Sequence, residues 1–286
     1  MRRAQSIVAL VDEAGARLSR AGLDPAEARR DAELLARTVL DWDRAAYVLG
    51  RRLPAPATFH TAYEAVVARR AAREPVAYIR GTQEFWGREF TVTPAVLVPR
   101  PETELIIEEA LALTDATRRY TIADVGTGSG CLAITLAIER PASAIVATDV
   151  SRSALAVADG NARRLHARSV RFVETDLLDG VQGPFDLVVS NPPYVRDGDR
   201  TTLPPEVRDH EPAAALFSGP DGLAHIRRLI PAAAAVVRSE GHLLFEVGAG
   251  QAEDVAAIVD GSAEWTLLGI RPDLQAIRRV VVLARR

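Results

Sequence analysis

The sequence predicts an α/β fold, a doubly wound and mostly parallel sheet of seven strands, preceded by an all-α domain and a hairpin linker. Three observations support this prediction. Apolar positions repeat at helical spacing through the first 73 residues, two short strand-like segments then flank Gly87, and strand-like and helical segments alternate after residue 120. Such alternation is typical of a parallel sheet that is covered by helices on both faces.

Length and composition indicate a globular protein with a large core. The chain has 286 residues, 48% of them apolar, and no apolar run approaches the roughly 18 to 20 residues needed to cross a bilayer. We therefore expect no membrane span. The segment Met1-Arg2-Arg3-Ala4-Gln5 lacks the features of a secretory signal, and the single cysteine, Cys131, cannot form an internal disulfide. A cytoplasmic location is expected from both.

The charged residues exclude several mechanisms. All 35 basic residues are arginine, so Schiff-base chemistry, pyridoxal phosphate attachment and a phosphate loop with its lysine are excluded. The net charge of −3 disfavours duplex nucleic acid as the main partner, and we expect no direct nucleic-acid contact. Residues 1–73 carry 13 arginines against 9 acidic residues. None of the five histidines stands at metal-ligand spacing, so no metal is expected.

The N-terminal segment is predicted to be helical. Ile7, Val11 and Leu18 share one helical face, and Gly22 follows as a stop. The run Asp24-Pro25-Ala26-Glu27 then provides an N-cap, a proline at the first helical position and a capping-box acid. Asp43 can cap a short helix through residue 49, and residues 58–73 form another helix. We assign residues 1–74 to a helical substrate-recognition domain.

Residues 75–100 are predicted to form a hairpin linker, with strands at residues 82–86 and 88–92 that turn at Gly87. The run Pro99-Arg100-Pro101 forces extended backbone, and a helix opens at Pro101. From there, residues 101–286 form the predicted catalytic domain.

Within that domain, strands and helices alternate and an antiparallel hairpin ends the sheet. The predicted strands are residues 121–125, 144–149, 170–174, 185–190 and 242–247, and the predicted helices are residues 131–139, 154–165, 223–237 and 252–259. The final hairpin is formed by residues 265–270 and 277–283.

A glycine turn follows the first strand of the alternating region, with the sequence Gly126-Thr127-Gly128-Ser129-Gly130. Glycines of this kind let the backbone approach a nucleotide-like ligand closely. A dinucleotide site wants its third glycine one place later, where this chain has Cys131, so the spacing disfavours NAD.

Two acids follow neighbouring strands of the same sheet. Asp149 ends its strand and can accept both ribose hydroxyls of an adenosine, while Asp176 could meet the adenine amine. Asp149 could instead cap the helix after Ser151, and Asp176 could be a turn residue.

The run Asn191-Pro192-Pro193-Tyr194 closes an apolar strand. The asparagine side chain can accept a hydrogen bond through its oxygen, and the prolines stiffen the backbone behind it, so the corner suits a planar NH2 group. The alternative is a proline-stiffened loop in which the asparagine only forms a turn. With the glycine turn, this corner indicates methyl transfer to a conjugated amine.

Together these motifs resemble the class I S-adenosylmethionine-dependent methyltransferases, whose fold is Rossmann-like. Three further stretches are similar to the bacterial protein-(glutamine-N5) methyltransferases that modify peptide chain release factors: residues 73–81, Glu84-Phe85-Trp86 and residues 97–104. The resemblance covers nearly the whole chain and is weakest over residues 1–70.

The resemblance implies methylation of the glutamine side-chain amide in the Gly-Gly-Gln motif of release factors, with S-adenosylmethionine as donor. Asn191 and Pro192 would accept the two amide N–H bonds, and Tyr194 would pack on the amide plane. Arg100 could steer the substrate or merely pair with Glu102. After Asp176 the chain carries Leu177, where some relatives have an aromatic residue that could stack on adenine.

Two other functions remain open at this point. An adenine-N6 methyltransferase acting on DNA or RNA could use the same corner, although residues 74–286 are net acidic. A non-enzymatic adaptor could keep the fold without turnover. We expect a monomer that acts on release factors.

Overall fold

The computed structural model describes residues 5–286, which divide into two compact units. One unit comprises the chain up to Gly81 together with Pro205–His210. The other comprises Thr82–Pro204 and Glu211–Arg286.

The first unit is helical, as the periodicity predicts. Its helices are α1 (Ile7–Arg20), α2 (Pro25–Leu40), α3 (Arg44–Gly50), α4 (Phe59–Ala71) and α5 (Val76–Arg80). The predicted caps of two helices are confirmed: Asp24 accepts from the N–H groups of Ala26 and Glu27, and Asp43 accepts from that of Ala46. Helix α5 occupies the start of the segment that the sequence assigns to the linker.

A buried arginine holds the first unit together. Arg70 is 2% exposed and donates to Asp31 and Glu27 at 2.7 and 2.8 Å. Arg73 donates to Glu206 at 2.6 Å, which attaches the segment Pro205–His210 to this unit. The buried guanidinium of Arg70 therefore has carboxylate partners, as its burial requires.

The predicted hairpin is confirmed at the start of the second unit. Strands β1 (Thr82–Phe85) and β2 (Arg88–Thr91) pair in antiparallel register around Trp86 and Gly87. Both turn residues have positive φ, 53° and 68°. Two positive φ angles are the geometry of a tight two-residue hairpin turn.

A seven-stranded sheet forms the centre of the second unit. Its strands are β3 (Thr121–Val125), β4 (Ala144–Asp149), β5 (Val170–Glu174), β6 (Phe185–Ser190), β7 (Val237–Glu246), β8 (Trp265–Pro272) and β9 (Arg278–Arg285). Their order is β5-β4-β3-β6-β7-β9-β8, and the neighbouring pairs from β5 to β7 are parallel. The predicted terminal hairpin is confirmed, with β9 antiparallel to both β7 and β8.

Helices cover both faces of this sheet. They are α6 (Glu104–Ala112), α7 (Cys131–Glu139), α8 (Arg152–Arg164), α10 (Ala224–Val236) and α11 (Ala252–Asp260), while α9 is the segment Pro205–His210 of the first unit. The strand order reverses at β3, whose neighbours are β4 and β6, so loops leaving in opposite directions open a crevice there. Across residues 5–286, none of the helices has the length and apolar character that spanning a bilayer requires.

Candidate active site

The glycine turn, residues 126–130, leaves the carboxyl end of β3. Gly126, Gly128 and Gly130 have φ angles of 72°, 55° and 83°, which L side chains rarely adopt. A Cβ at Gly126 or Gly128 would meet no atom within 4 Å, whereas one at Gly130 would lie 2.7 Å from the Ile134 side chain and 3.1 Å from Ala158. The first two glycines thus leave backbone accessible to a ligand, and the third allows the following helix to pack closely.

Asp149 fastens this turn from the end of β4. Its Oδ2 accepts from the N–H of Gly128 at 2.9 Å, and its Oδ1 accepts from the N–H of Ser151 at 2.9 Å. The cap of the following helix is Ser151, whose hydroxyl accepts from the N–H of Ala154, so the capping alternative for Asp149 does not hold. Because each carboxylate oxygen can accept more than one hydrogen bond, capacity for ribose hydroxyls is left.

Asp176 and Leu177 follow the next strand. Asp176 Oδ2 accepts from Arg228 at 2.5 Å, and its main-chain carbonyl accepts from the N–H of Asp179 in a turn. Leu177 has a φ of 50°, and its carbonyl accepts from the Thr148 hydroxyl at 2.8 Å. The turn that the sequence leaves as an alternative for Asp176 therefore coexists with a side chain beside the crevice.

The Asn corner, Asn191-Pro192-Pro193-Tyr194, follows β6. Just before it, the Ser190 hydroxyl donates to the carbonyl of Val125 at 2.7 Å and joins the ends of two neighbouring strands. Just after it, the carbonyl of Tyr194 accepts from Gln251 Nε2 at 3.0 Å. A Cβ at Gly222 would lie 2.3 Å from that same carbonyl, so the chain packs tightly behind the corner.

A chain of side-chain hydrogen bonds runs behind Asn191. Its Nδ2 donates to the Thr103 hydroxyl at 2.9 Å, and that hydroxyl donates to Glu246 Oε2 at 2.6 Å. The Tyr194 hydroxyl donates to the other oxygen of Glu246 at 3.1 Å. Thr103 and Glu246 are 2% and 1% exposed, so the hydrogen bond between them is shielded from water.

Burial sets the protonation of this chain. Desolvation raises the pKa of Glu246, and the hydrogen bonds from Thr103 and Tyr194 oppose that rise. Desolvation also raises the pKa of Tyr194, with the nearby Glu246 acting in the same direction. The tyrosine is therefore a neutral donor at physiological pH.

Asp124 lies under the glycine turn and is fully buried. Its Oδ2 accepts from the Thr127 hydroxyl at 2.6 Å and from the N–H of Ala133 at 3.1 Å. Desolvation raises the pKa of this carboxyl to about 7 despite those hydrogen bonds. Cys131 is affected similarly, because burial raises the pKa of its thiol to about 12 and so disfavours a reactive thiolate.

These loops enclose one cavity of about 210 Å³. Most of the predicted site residues contribute to its lining: Arg100, Gly126, Thr127, Gly128, Ser129, Asp149, Asp176, Leu177, Asn191, Pro192 and Pro193. Gly130 and Tyr194 do not line the cavity, although the residues before them, Ser129 and Pro193, do. Arg100 pairs with Glu211 at 2.5 Å and not with Glu102, the partner that the sequence suggested.

Comparison with known proteins gives matches over nearly the whole chain. The family described as Methyltransferase small domain matches residues 103–204, and that described as PrmC N-terminal domain matches residues 9–81. A release factor glutamine methyltransferase of Koribacter versatilis is 42% identical over 91% of this chain and 92% of its own length. Another, from Cereibacter sphaeroides, is 43% identical over 98% of each chain. The chain belongs to the release factor glutamine methyltransferase family.

Membership of this family confirms the resemblance seen in the motifs. A solved structure with the same fold is that of the hMettl16 catalytic domain in complex with MAT2A 3'UTR hairpin 1. It aligns with a TM-score of 0.57 at 15% identity and covers 77% of this chain and 80% of that chain. At such identity the likeness concerns the fold alone, and it agrees with the predicted class I methyltransferase sheet.

Three polar residues of this site, Asp124, Glu246 and Thr103, are not among those predicted from the sequence. Asp124 and Glu246 are acids near the ends of apolar strands, the same signal that singled out Asp149. Thr103 carries no such signal, because its partner Glu246 is 143 residues away in the sequence.

Proposed function

We propose that this protein transfers a methyl group from S-adenosyl-L-methionine to the side-chain amide nitrogen, N5, of the glutamine in the Gly-Gly-Gln motif of peptide chain release factors. The observation that carries the proposal is that the glycine turn, Asp149, Asn191 and Pro192 line the same cavity. The relatives, which are named release factor glutamine methyltransferases, support the choice of substrate.

The residues around the cavity fit S-adenosylmethionine. Gly126 and Gly128 leave open space at bare backbone, and the Asp149 carboxylate beside them suits ribose hydroxyls. Asp176 and Leu177 would meet the adenine ring. When bound, S-adenosylmethionine supplies a methyl group on a sulfonium sulfur, and S-adenosylhomocysteine is the product.

Orientation is the main chemical task of the Asn corner. An amide nitrogen is a poor nucleophile, because its lone pair is delocalised into the carbonyl. Asn191 Oδ1 and the Pro192 carbonyl would accept the two N–H bonds of the glutamine, which leaves one face of the nitrogen open to the methyl group. No general base is needed in this proposal: as the nitrogen–carbon bond forms, the sulfur–methyl bond would break, the N–H would become acidic, and its proton would pass to water after S-adenosylhomocysteine has formed. Positioning and electrostatics carry the acceleration.

The helical domain is proposed to recognise the release factor. In this proposal residues 1–74 dock the partner, residues 75–100 link the domains, and residues 101–286 perform the transfer in a cytoplasmic monomer.

Arg29 and Arg30 are exposed on α2, so replacing them tests whether this domain binds the release factor. Replacing both by glutamate should raise KM for intact release factor and leave turnover of a short Gly-Gly-Gln peptide unchanged. An equal effect on both substrates would contradict the docking role.

Tritiated S-adenosylmethionine tests the proposed reaction. We expect label in a release factor, and mass spectrometry should then show one added methyl group on the glutamine of its Gly-Gly-Gln motif. Replacing that glutamine by alanine in the release factor is the matched control and should abolish labelling. Label in DNA or RNA instead would favour adenine methylation, and no label in either would favour an adaptor.

A further inference from the structure

We propose that Thr103 and Glu246 are positioning residues that fix the Asn191 carboxamide with its oxygen toward the substrate. The inference rests on the proposed function and names what makes the Asn corner directional. The three residues come from separate elements: Thr103 ends the turn Pro101–Thr103, Asn191 follows β6, and Glu246 ends β7.

An asparagine carboxamide can present either of two ends of nearly equal shape. Oδ1 accepts hydrogen bonds, whereas Nδ2 only donates them. The nitrogen of a substrate amide also carries two donors. If Asn191 presented Nδ2 to the cavity, donor would face donor and the substrate amide would be turned away.

The hydrogen-bond chain selects one of these two orientations. The Thr103 hydroxyl donates its single proton to Glu246 Oε2, and the two oxygens lie 2.6 Å apart. The Thr103 oxygen can then only accept from Asn191, and it lies 2.9 Å from Nδ2. With Nδ2 bonded to the Thr103 hydroxyl, Oδ1 is the end of the carboxamide left for the substrate.

Burial makes this selection strong. Thr103 and Glu246 are almost fully inaccessible, so water cannot replace a missing partner. The remaining oxygen of Glu246 accepts from the Tyr194 hydroxyl. Glu246 is therefore linked to two residues of the Asn corner, directly to Tyr194 and through Thr103 to Asn191.

The test compares Thr103→Val with Thr103→Ser, because valine keeps the shape without the hydroxyl and serine keeps the hydroxyl. We expect kcat on release factor to fall roughly 10- to 100-fold in Thr103→Val and to stay within about threefold of wild type in Thr103→Ser. The Kd for S-adenosylhomocysteine, measured by calorimetry, should change less than about threefold in both variants, as expected when ground-state binding is untouched.

Three outcomes would overturn the inference: a normal kcat in Thr103→Val, an equal loss in Thr103→Ser, or a loss of S-adenosylhomocysteine affinity that matches the loss of rate. Thr103→Ala gives the same comparison if Thr103→Val does not fold. An inactive wild-type protein would instead contradict the proposed function, so the two failures are distinguishable.

Discussion

The two walls of the cavity are built in different ways. The wall proposed for the cofactor is the bare backbone of a glycine turn, whose Gly128 N–H donates to the Asp149 carboxylate at 2.9 Å. The wall proposed for the substrate consists of side chains, with hydrogen bonds that run from Asn191 through Thr103 to Glu246. A wall of bare backbone provides space and affinity, whereas a chain of side chains provides direction. Substitutions should therefore separate binding of the cofactor from the rate of transfer.

The largest separation is expected for Asn191→Ala. This change removes the acceptor proposed to orient the substrate amide. The rate constant of methyl transfer to release factor, measured in single turnovers, should therefore fall about 10²- to 10³-fold. Affinity for S-adenosylhomocysteine should stay within about threefold of wild type, measured by calorimetry. A parallel loss of rate and affinity would contradict the division between the walls.

Asp124 should make the free energy of unfolding depend on pH. Its pKa is about 7 in the folded protein against an ordinary 3.8. Between these two pKa values the folded state keeps a proton on Asp124 that the unfolded state has lost. The stabilisation is fully present below pH 3.8 and is lost as the pH rises toward 7. The loss is about 1.4 kcal/mol per pH unit in that window.

The variant Asp124→Asn lacks this proton and is the matched control. Urea unfolding of both proteins between pH 5 and 7.5 should show wild type losing stability relative to the variant as pH rises. Parallel pH profiles would show that the Asp124 carboxyl does not titrate in this range.

Gly130→Ala should destabilise the fold more than Gly128→Ala does. Both positions have positive φ, but only at Gly130 would the new Cβ collide, at 2.7 Å from the Ile134 side chain. We expect Gly130→Ala to cost about 2 to 4 kcal/mol and Gly128→Ala about 1 to 2 kcal/mol, both measured by urea unfolding. Gly128→Ala should mainly weaken cofactor binding. Equal destabilisation of the two variants would refute the packing role of Gly130.

The smallest effect is expected for Arg228→Ala. Its ion pair with Asp176 joins two half-exposed side chains, so the stability change should be below about 1 kcal/mol in thermal or urea unfolding. Cofactor affinity should change by less than about threefold. A large loss of affinity would mean that Arg228 contacts the cofactor or that the pair is needed to position Asp176.

Local signals in the sequence predict the frame of the catalytic unit well. Strands β3 to β6 have the predicted bounds, because each is a short segment rich in apolar residues and is followed by turn or polar residues. Strand β7 starts at Val237, five residues before the predicted start at residue 242. Its first half is mostly polar, so no apolar pattern indicates a strand there. The segment Pro205–His210 belongs to the helical unit through a contact between Glu206 and Arg73, which no local pattern indicates.

The candidate site is predictable only in part, for the same reason. Asn191 and Asp149 stand at strand ends, where the topology of a parallel sheet brings side chains together. Thr103 meets Asn191 across 88 residues of sequence and Glu246 across 143, so tertiary packing alone defines that chain. The partner of Arg100 was missed similarly, because Glu211 follows 111 residues later.

A crystal structure with S-adenosylhomocysteine and a Gly-Gly-Gln peptide would test the central claim most directly. We expect the glutamine amide nitrogen within about 3.2 Å of both Asn191 Oδ1 and the Pro192 carbonyl oxygen, with the adenosine ribose hydroxyls bonded to Asp149. A peptide whose amide is held elsewhere, or an Asn191 whose Nδ2 faces the substrate, would contradict it.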